Sequence, residues 1–449
     1  MNLFPYQSAA SAIIAASKLA KYNVFDPGLG KSGTALDVAK RIKARRVLIT
    51  GPMTATYSWK LELQKFWPNH PPFKVIRSSN DVQDEDGVFY VTYGLLSRSA
   101  SVTGLLRVGA PFDFSILDES HALKNSGANR TKAILSRKTG FRDKLGLAHP
   151  MSATPAPNHA GELWPILASL RPDLIKENGK PMKRDRFEEQ YCEIDTIRVK
   201  TPNGTRMQRV ITGSKNVPEL RQRLNGFFIR ETKANVMKEL PPLRFVTHPI
   251  QIANPEHFQT VSQLVESGIT DSELIVHAQM MANSTRYAEL GMAKAPQAAE
   301  LVHDLLDGGV GQIVVWAIHT PVIDYLCKMC LDLGVSRLDG GVKQRERDNA
   351  IGDFLLGVNR VFIGQIEAGG TAITLSGGKL QCSDALFVES HFSPKLNWQA
   401  ACRIHRIGQH DAVLARFLSA VGTYDERLQE IQARKTQDFA DLFDKEDVL

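Results

Sequence analysis

Cysteine is scarce in this sequence, which has only five cysteines among 449 residues, widely spaced. Five scattered thiols exclude the disulfide framework of a small secreted domain. Apolar runs are also short, and none reaches the roughly 18 residues of a membrane-spanning helix. The first residues lack the basic and apolar regions of a secretory signal peptide. These absences predict a globular protein of a reducing, cytoplasmic compartment, with no membrane partner.

Charge of one sign is only slightly in excess. Charged residues make up 23% of the chain, hydrophobic residues 43%, and the net charge is +7. This balance suits a phosphate-backbone partner, and it equally suits a merely basic globular protein. A chain of 449 residues exceeds one ordinary hydrophobic core, so the length predicts at least two domains.

Short apolar runs alternate with helical segments in two blocks, which is typical of α/β domains with parallel sheets. We therefore predict two parallel-sheet α/β domains, at residues 1–170 and 246–449. Residues 171–245 have a different composition, rich in lysine and arginine, and form a predicted basic insertion and linker. Within it, the Asn203-Gly204 pair predicts the turn of a β-hairpin over residues 197–211. Its basic residues either face nucleic acid or keep an exposed ribbon soluble.

The sharpest local motif is DPGLGKS at residues 26–32, which follows a predicted strand and opens a predicted helix. Gly28 and Gly30 would let backbone N–H groups surround phosphates, and Lys31 would reach the terminal ones. Ser32 can offer its hydroxyl to Mg²⁺. The strict phosphate-loop pattern has glycine where Phe25 stands, so a glycine-rich turn that only ends a strand remains an alternative reading of the motif by itself.

A carboxylate pair distinguishes these readings. Asp118 and Glu119 directly follow the predicted strand at residues 112–117, and ligands of open α/β sheets bind at strand carboxyl ends. Asp118 is placed to hold Mg²⁺, and Glu119 to orient and deprotonate the attacking water. Together with Lys31, the pair predicts ATP hydrolysis rather than a helix cap.

Two arginines in the second block complete the pattern. Arg403 and Arg406 are three positions apart, which places them on one face of a predicted helix. Arginines supplied by a second domain can neutralise charge that develops on a γ-phosphate. Hydrolysis would then require domain closure, which is a physical basis for motion. Without the first-domain motifs, the same pair would be read as solvated surface arginines.

With these motifs in order, the chain resembles the Swi/Snf-type superfamily-two helicase-like ATPases, whose phosphate loop reads DEMGLGKT. HRIGQ at residues 405–409 is close to a signature of that family. DESHALKN at residues 118–125 and GSKNVPEL at residues 213–220 are similar to the HARP-like annealing-helicase branch. The resemblance implies two RecA-like domains in tandem, with ATP and Mg²⁺ as cofactors and DNA, preferably duplex or branched, as the partner of a monomer.

The resemblance also implies residue roles. Nucleotide contact is expected from the initial segment, the loop and the signature glutamine: Tyr6, Gln7, Gly28, Leu29, Gly30, Lys31, Ser32, Gly33 and Gln409. Nucleic-acid contact or its coupling to hydrolysis is expected from Pro52, Ser152, Thr154, His319, Gly369, Gly370 and Gln399. His319 is equally interpretable as a capping or packed histidine.

The sequence departs from the family at Glu367 and Ala372, in a segment that touches DNA and nucleotide, and at the Ala401-Cys402 pair before Arg403. These departures affect the expected DNA contacts rather than the ATPase. The resemblance predicts a minimal motor without accessory domains, of a bacterial or viral type, or nuclear if eukaryotic. Two alternatives stay open: a conventional strand-separating DNA or RNA helicase, and a nucleic-acid-binding scaffold with an inactive ATPase.

Overall fold

The computed structural model describes residues 3–201, 204–258, 285–369, 373–406, 408–423, 425, 426 and 428. The chain divides into two compact units. The first comprises residues 1–194, 211–236 and 437–449, and the second comprises residues 195–210 and 237–436. Each unit is described by itself below.

The first unit contains a seven-stranded sheet in the order β11-β1-β6-β5-β2-β4-β3. Its strands are β1 (Tyr22–Asn23), β2 (Arg46–Gly51), β3 (Phe73–Ile76), β4 (Gly87–Thr92), β5 (Phe114–Asp118), β6 (Leu147–Met151) and β11 (Phe228–Ile229). All neighbouring strands run parallel. Residues of β2 and β4 are buried along their whole length, as expected for central strands covered by helices on both faces.

Helices of the first unit connect these strands or follow them. They are α1 (Pro5–Ala16), α2 (Lys31–Arg41), α3 (Thr56–Phe66), α4 (Tyr93–Arg98), α5 (Ala100–Val108), α6 (Asn129–Leu135), α7 (Trp164–Leu170), α8 (Arg184–Tyr191), α9 (Val217–Arg223) and α10 (Lys233–Val236). Lys40 and Arg41 lie in the last turn of α2, where their charge complements the helix dipole. The amino end of α2 remains available to an anion.

Two short two-stranded sheets lie between α7 and α9. One consists of β7 (Lys176–Glu177) and β8 (Lys180–Pro181), and the other of β9 (Cys192–Thr201) and β10 (Gly204–Ser214). The predicted β-hairpin over residues 197–211 is therefore confirmed, with longer strands than expected. The turn residues 202 and 203 lie outside the described part of the chain.

The second unit contains a six-stranded parallel sheet in the order β12-β17-β16-β13-β15-β14. Its strands are β12 (Leu243–Ile250), β13 (Gln312–Ala317), β14 (Val335–Leu338), β15 (Val361–Gln365), β16 (Cys382–Phe387) and β17 (Val413–Ala420). Its described α-helices are α11 (Thr285–Asp307), α12 (Thr320–Met329), α13 (Gln344–Leu355), α14 (Ile366–Gly369) and α15 (Pro394–Ala401). The predicted α/β class with two parallel sheets is confirmed.

The sequence pattern missed two strands of this second sheet. β14 has four residues, too few for a clear pattern. β12 lies at an edge of the sheet and is largely exposed, so it lacks the apolar run that marks a buried strand. None of the described helices combines the length and the apolar character needed to cross a membrane.

Candidate active site

The glycine-rich loop connects β1 to α2 at the carboxyl end of the first sheet. Gly28 and Gly30 have φ angles of +89° and +76°, in the left-handed region that favours glycine. A Cβ on Gly30 would lie 2.2 Å from Gln7 Nε2, so a side chain there would also displace the Gln7 amide. Because α2 begins at Lys31, its unpaired N–H groups lie at the end of the loop.

The Lys31 ammonium lies within this loop. Its Nζ donates hydrogen bonds to the carbonyl oxygens of Phe25, at 2.8 Å, and Asp26, at 3.3 Å. Burial lowers the pKa of Lys31 to about 8, since the charged form loses its hydration. A bound anion would further favour the charged form. A lysine beside the amino end of a helix therefore fits the terminal phosphates of a nucleotide.

Tyr6 and Gln7, predicted to contact the nucleotide, lie against the same loop. Tyr6 Oη donates to the carbonyl oxygen of Leu29 at 3.1 Å, and Gln7 Nε2 donates to it at 2.9 Å. Gln7 Oε1 accepts from the backbone N–H of Phe4 at 2.9 Å. The amide of Gln7 thus holds the start of α1 to the loop, and contact of Tyr6 and Gln7 with a base stays a prediction.

Asp118 ends β5 at the same edge of the sheet. One of its carboxylate oxygens, Oδ2, accepts a hydrogen bond from Trp59 Nε1 at 2.9 Å. Burial, and after it the charge of Glu119, raise the pKa of Asp118 to about 7. The charges of Glu119 and Asp118 both act on Lys31 and favour its charged form. The structure therefore brings the three predicted catalytic residues of the first unit together.

Glu119 has a left-handed backbone with φ +47°, a conformation uncommon for residues other than glycine and often found at functional sites. Its Oε2 lies 3.1 Å from His121 Nδ1 and accepts from Ser152 Oγ at 3.4 Å. His121 Nδ1 also lies 3.1 Å from Ser152 Oγ. Ser152 follows β6, so the predicted base touches the segment expected to couple hydrolysis to nucleic-acid contact.

The remaining predicted residues of this unit surround the same edge. Ser32 is the second residue of α2. Gly33 follows it and packs closely on Phe66, whose ring would lie 3.2 Å from a Cβ at this position. Pro52 follows β2, and its carbonyl oxygen accepts from Tyr90 Oη. Thr154 is buried, and its Oγ1 has no hydrogen-bond partner among the described residues.

The arginine pair of the second unit does not lie on a helix, which corrects the sequence expectation. α15 ends at Ala401, and residues 402–406 form turns. Arg403 is 6% exposed, and its Nη1 donates to the carbonyl oxygen of Ile373 at 3.1 Å. Arg406 is more exposed, and its Nη1 donates to Thr374 Oγ1 at 2.6 Å. The turn thus sets the two arginines against residues 373–375.

Gln409 and Gln399 are both buried in the second unit. Gln409 Nε2 donates to the carbonyl oxygens of Cys382, at 2.8 Å, and Ile404, at 3.1 Å, while its Oε1 accepts from Gln381 Nε2 at 2.6 Å. These bonds hold the turn that carries the arginines. Nucleotide contact by Gln409 stays a prediction.

His319 precedes α12, and its ring contacts a fully buried glutamate. Its Nδ1 lies 2.6 Å from Glu389 Oε1, and Glu389 Oε2 accepts from the N–H groups of Ile318 and His319. These contacts are those of a packed histidine. A role of His319 in nucleic-acid contact stays a prediction. Gly369 ends α14, whereas Gly370 lies outside the described residues.

Sequence reasoning missed Trp59 and His121 as members of the site. Trp59 is a residue of α3 that is 2% exposed, and no spacing rule links it to Asp118. His121 stands two positions after Glu119 in the sequence, and this short spacing could have indicated that it belongs to the site. Across the described residues, no group of three or more histidine, cysteine, aspartate or glutamate side chains forms a metal cage. Mg²⁺ at nucleotides commonly has only one or two protein ligands, so Ser32 and Asp118 fit it.

Comparison with known proteins identifies relatives. Residues 24–279 match the model of the SNF2-related domain. The chain is 27% identical to SWI/SNF-related matrix-associated actin-dependent regulator of chromatin subfamily A-like protein 1 of Xenopus tropicalis, over 95% of this chain and 43% of that protein. It is 28% identical to DNA annealing helicase and endonuclease ZRANB3 of Mus musculus, over 91% of this chain and 38% of that protein.

A solved structure, the Sulfolobus solfataricus SWI2/SNF2 ATPase core in complex with dsDNA, matches all of this chain and 94% of that one, with 21% identity and a TM-score of 0.45. The chain spans less than half the length of both curated relatives named above.

Proposed function

The chain belongs to the SNF2-related domain family, and on that premise we propose that it is an ATP-driven motor whose hydrolysis of ATP is stimulated by bound nucleic acid. One observation carries the proposal: the half-buried Lys31 ammonium lies at the same sheet edge as Asp118 and Glu119, whose charges both act on it. The name of one relative, a DNA annealing helicase, favours DNA as the activating partner. Duplex or branched DNA that is remodelled or annealed is the favoured substrate.

Each residue has a defined task in this proposal. The amino end of α2 and Lys31 bind the terminal phosphates of ATP, and Ser32 and Asp118 would hold Mg²⁺. When bound, Mg²⁺ neutralises charge on the phosphates and orients them. Glu119 orients water and takes up its proton. Ser152, in contact with Glu119, links the base to the nucleic-acid-binding segment.

The arginines supply the remaining charge. We propose that Arg403 and Arg406, carried by the second domain, stabilise negative charge that develops on the γ-phosphate. The proposed boundaries are residues 1–170 for the ATP-binding domain, 171–245 for the insertion and linker, and 246–449 for the carboxyl-terminal domain. Because the two sets of residues belong to different domains, hydrolysis would accompany a change in domain arrangement.

A panel of nucleic acids tests the proposal. We expect phosphate release from ATP to increase most with duplex or forked DNA, less with single-stranded DNA and least with RNA. Junction rewinding and strand separation are scored in the same reactions. Activation by RNA alone would identify an RNA helicase, and net strand separation would identify a conventional helicase. Absence of phosphate release with every nucleic acid would establish the inactive scaffold.

Trp59→Phe is expected to weaken the magnesium site without unfolding the protein. The substitution keeps an aromatic ring in the core and removes the N–H that orients Asp118. Loss of such an orienting bond commonly costs about tenfold in metal affinity. We therefore expect the Mg²⁺ concentration for half-maximal ATP hydrolysis to rise by roughly that factor, and calorimetric binding of Mg·ADP to weaken in parallel.

Trp67→Phe is the matched control. Trp67 is also buried, at 9% exposure, and its ring packs against His70. It should leave the Mg²⁺ dependence unchanged. An unaltered Mg²⁺ dependence in Trp59→Phe would contradict the positioning role of Trp59.

A further inference from the structure

A buried ion pair joins the phosphate loop to the segment that follows β11. Arg230 Nη1 lies 2.6 Å from Asp26 Oδ1, and both side chains are 9% exposed. The same Nη1 donates to the carbonyl oxygen of Val24 at 2.7 Å. The second carboxylate oxygen of Asp26 accepts from the backbone N–H of Lys233 at 2.9 Å. Asp26, Arg230 and Lys233 are called the clasp below.

The clasp holds a segment that the sheet itself holds only weakly. β11 has two residues, paired with β1 at Tyr22↔Phe228 and Asn23↔Ile229. Beyond them, two backbone bonds continue the pairing, from Val24 N–H to the carbonyl oxygen of Ile229 at 2.9 Å and from Asp26 N–H to that of Glu231 at 3.1 Å. Burying two charges carries a desolvation penalty that offsets their attraction, so the ion pair by itself is weak evidence for a gain in the free energy of unfolding. Its geometry instead fixes the position of Asp26.

Asp26 is also in contact with the lysine that binds phosphate. Its carbonyl oxygen accepts from Lys31 Nζ at 3.3 Å, while its carboxylate is bonded to Arg230. The charge of Asp26 raises the pKa of Lys31, and the charge of Arg230 lowers it. A turn of Lys31 toward a phosphate would remove this donor from Asp26, so nucleotide binding changes the environment of the residue that the clasp holds.

We propose that Arg230 is a positioning residue for nucleotide binding, which acts by fixing the phosphate loop through Asp26. The inference rests on the proposed ATPase function. Any effect of the clasp on nucleotide affinity requires an equal effect of nucleotide on the clasp. The chain passes from Val236 directly into the second compact unit at Met237. The clasp therefore connects nucleotide occupancy to the segment that leads into that unit.

Hydrogen exchange on the unaltered chain tests the coupling without a substitution. We expect saturating Mg·ADP to slow exchange in residues 229–236, including the Lys233 N–H that donates to Asp26. The β7–β8 hairpin, at residues 176–181, serves as an internal reference that should not change. Unchanged exchange in residues 229–236, with Mg·ADP demonstrably bound, would overturn the inference.

Substitutions test the effect in the other direction. Arg230→Gln and Asp26→Asn are each expected to weaken Mg·ADP binding about tenfold, within the usual range of coupling between sites. The double variant should bind no more weakly than the weaker single variant, because both changes break one contact. Arg230→Lys keeps the charge and should recover part of the affinity. Calorimetry measures the dissociation constants, and thermal unfolding measures stability.

Arg171→Gln is the control for loss of a buried arginine. Arg171 is 8% exposed and bonds to Asp173 and to the carbonyl oxygen of Ala20, which precedes β1 and is not part of the phosphate loop. It should lower the melting temperature but leave Mg·ADP affinity unchanged. If Arg230→Gln behaves in the same way as Arg171→Gln, the clasp is structural only and the inference fails.

The outcomes separate this inference from the proposed function. If the unaltered chain binds no Mg·ADP, both the nucleotide site and the role of the clasp are overturned. If it binds Mg·ADP and Arg230→Gln binds it equally well, only the clasp is overturned.

Discussion

Glu119→Gln is expected to abolish DNA-stimulated ATP hydrolysis while Mg·ATP still binds. Glutamine keeps the shape of the side chain and can still contact His121 and Ser152, but it cannot take a proton from water. General-base catalysis contributes about 10²- to 10⁴-fold, so we expect kcat to fall by roughly 10³-fold. The measurements are steady-state phosphate release at saturating DNA and calorimetric binding of Mg·ATP.

Glu188→Gln provides the comparison for Glu119→Gln. Glu188 is a buried carboxylate of the same unit, 6% exposed, whose Oε1 accepts from Arg184 Nε at 2.6 Å. Its replacement should lower stability without a specific loss of kcat. Hydrolysis by Glu119→Gln at the unaltered rate would remove Glu119 from the catalytic assignment.

Arg406→Ala is expected to lower kcat by about 10³-fold or more, the range known for arginines that act on a transferring phosphoryl group. Nucleotide affinity and thermal stability should change little, because Arg406 is the more exposed arginine and its described bonds go to Thr374 Oγ1 and the carbonyl oxygen of Cys402. The expected signature is a loss confined to turnover, measured by single-turnover hydrolysis with DNA at saturation.

Arg403→Ala should instead lower both turnover and melting temperature, since the buried guanidinium of Arg403 donates to the carbonyl oxygen of Ile373. Arg345→Ala, at an exposed arginine of the same unit, should change neither. Normal turnover in Arg406→Ala would contradict the proposed contribution of Arg406 to hydrolysis.

Much of the fold followed from local pattern. β2, β4 and β13 belong to the short apolar runs of that alternating pattern, and they are buried along their length because a parallel sheet covered on both faces needs apolar side chains. DPGLGKS predicted the loop because only glycine readily adopts the backbone of Gly28 and Gly30. Asp118 and Glu119 were assigned from their position at the end of a strand, where parallel sheets bind ligands.

Other features had no local signal. The spacing of Arg403 and Arg406 predicted one face of a helix, but the helix ends at Ala401 because the chain there turns to bond with residues 373–375. Periodicity describes a segment only while its helix continues. Contacts with residues about 30 positions away decided where that helix ended.

The sequence by itself determined the kind of chemistry through the residues at positions 26–32, 118 and 119, because glycine conformation, lysine charge and paired carboxylates are local properties. Tertiary structure alone decided how these groups are held. Trp59 meets Asp118 across 59 positions, and Arg230 meets Asp26 across 204. Such pairs form only when elements distant in the chain pack together in the fold, and burial there gives each hydrogen bond its orienting effect.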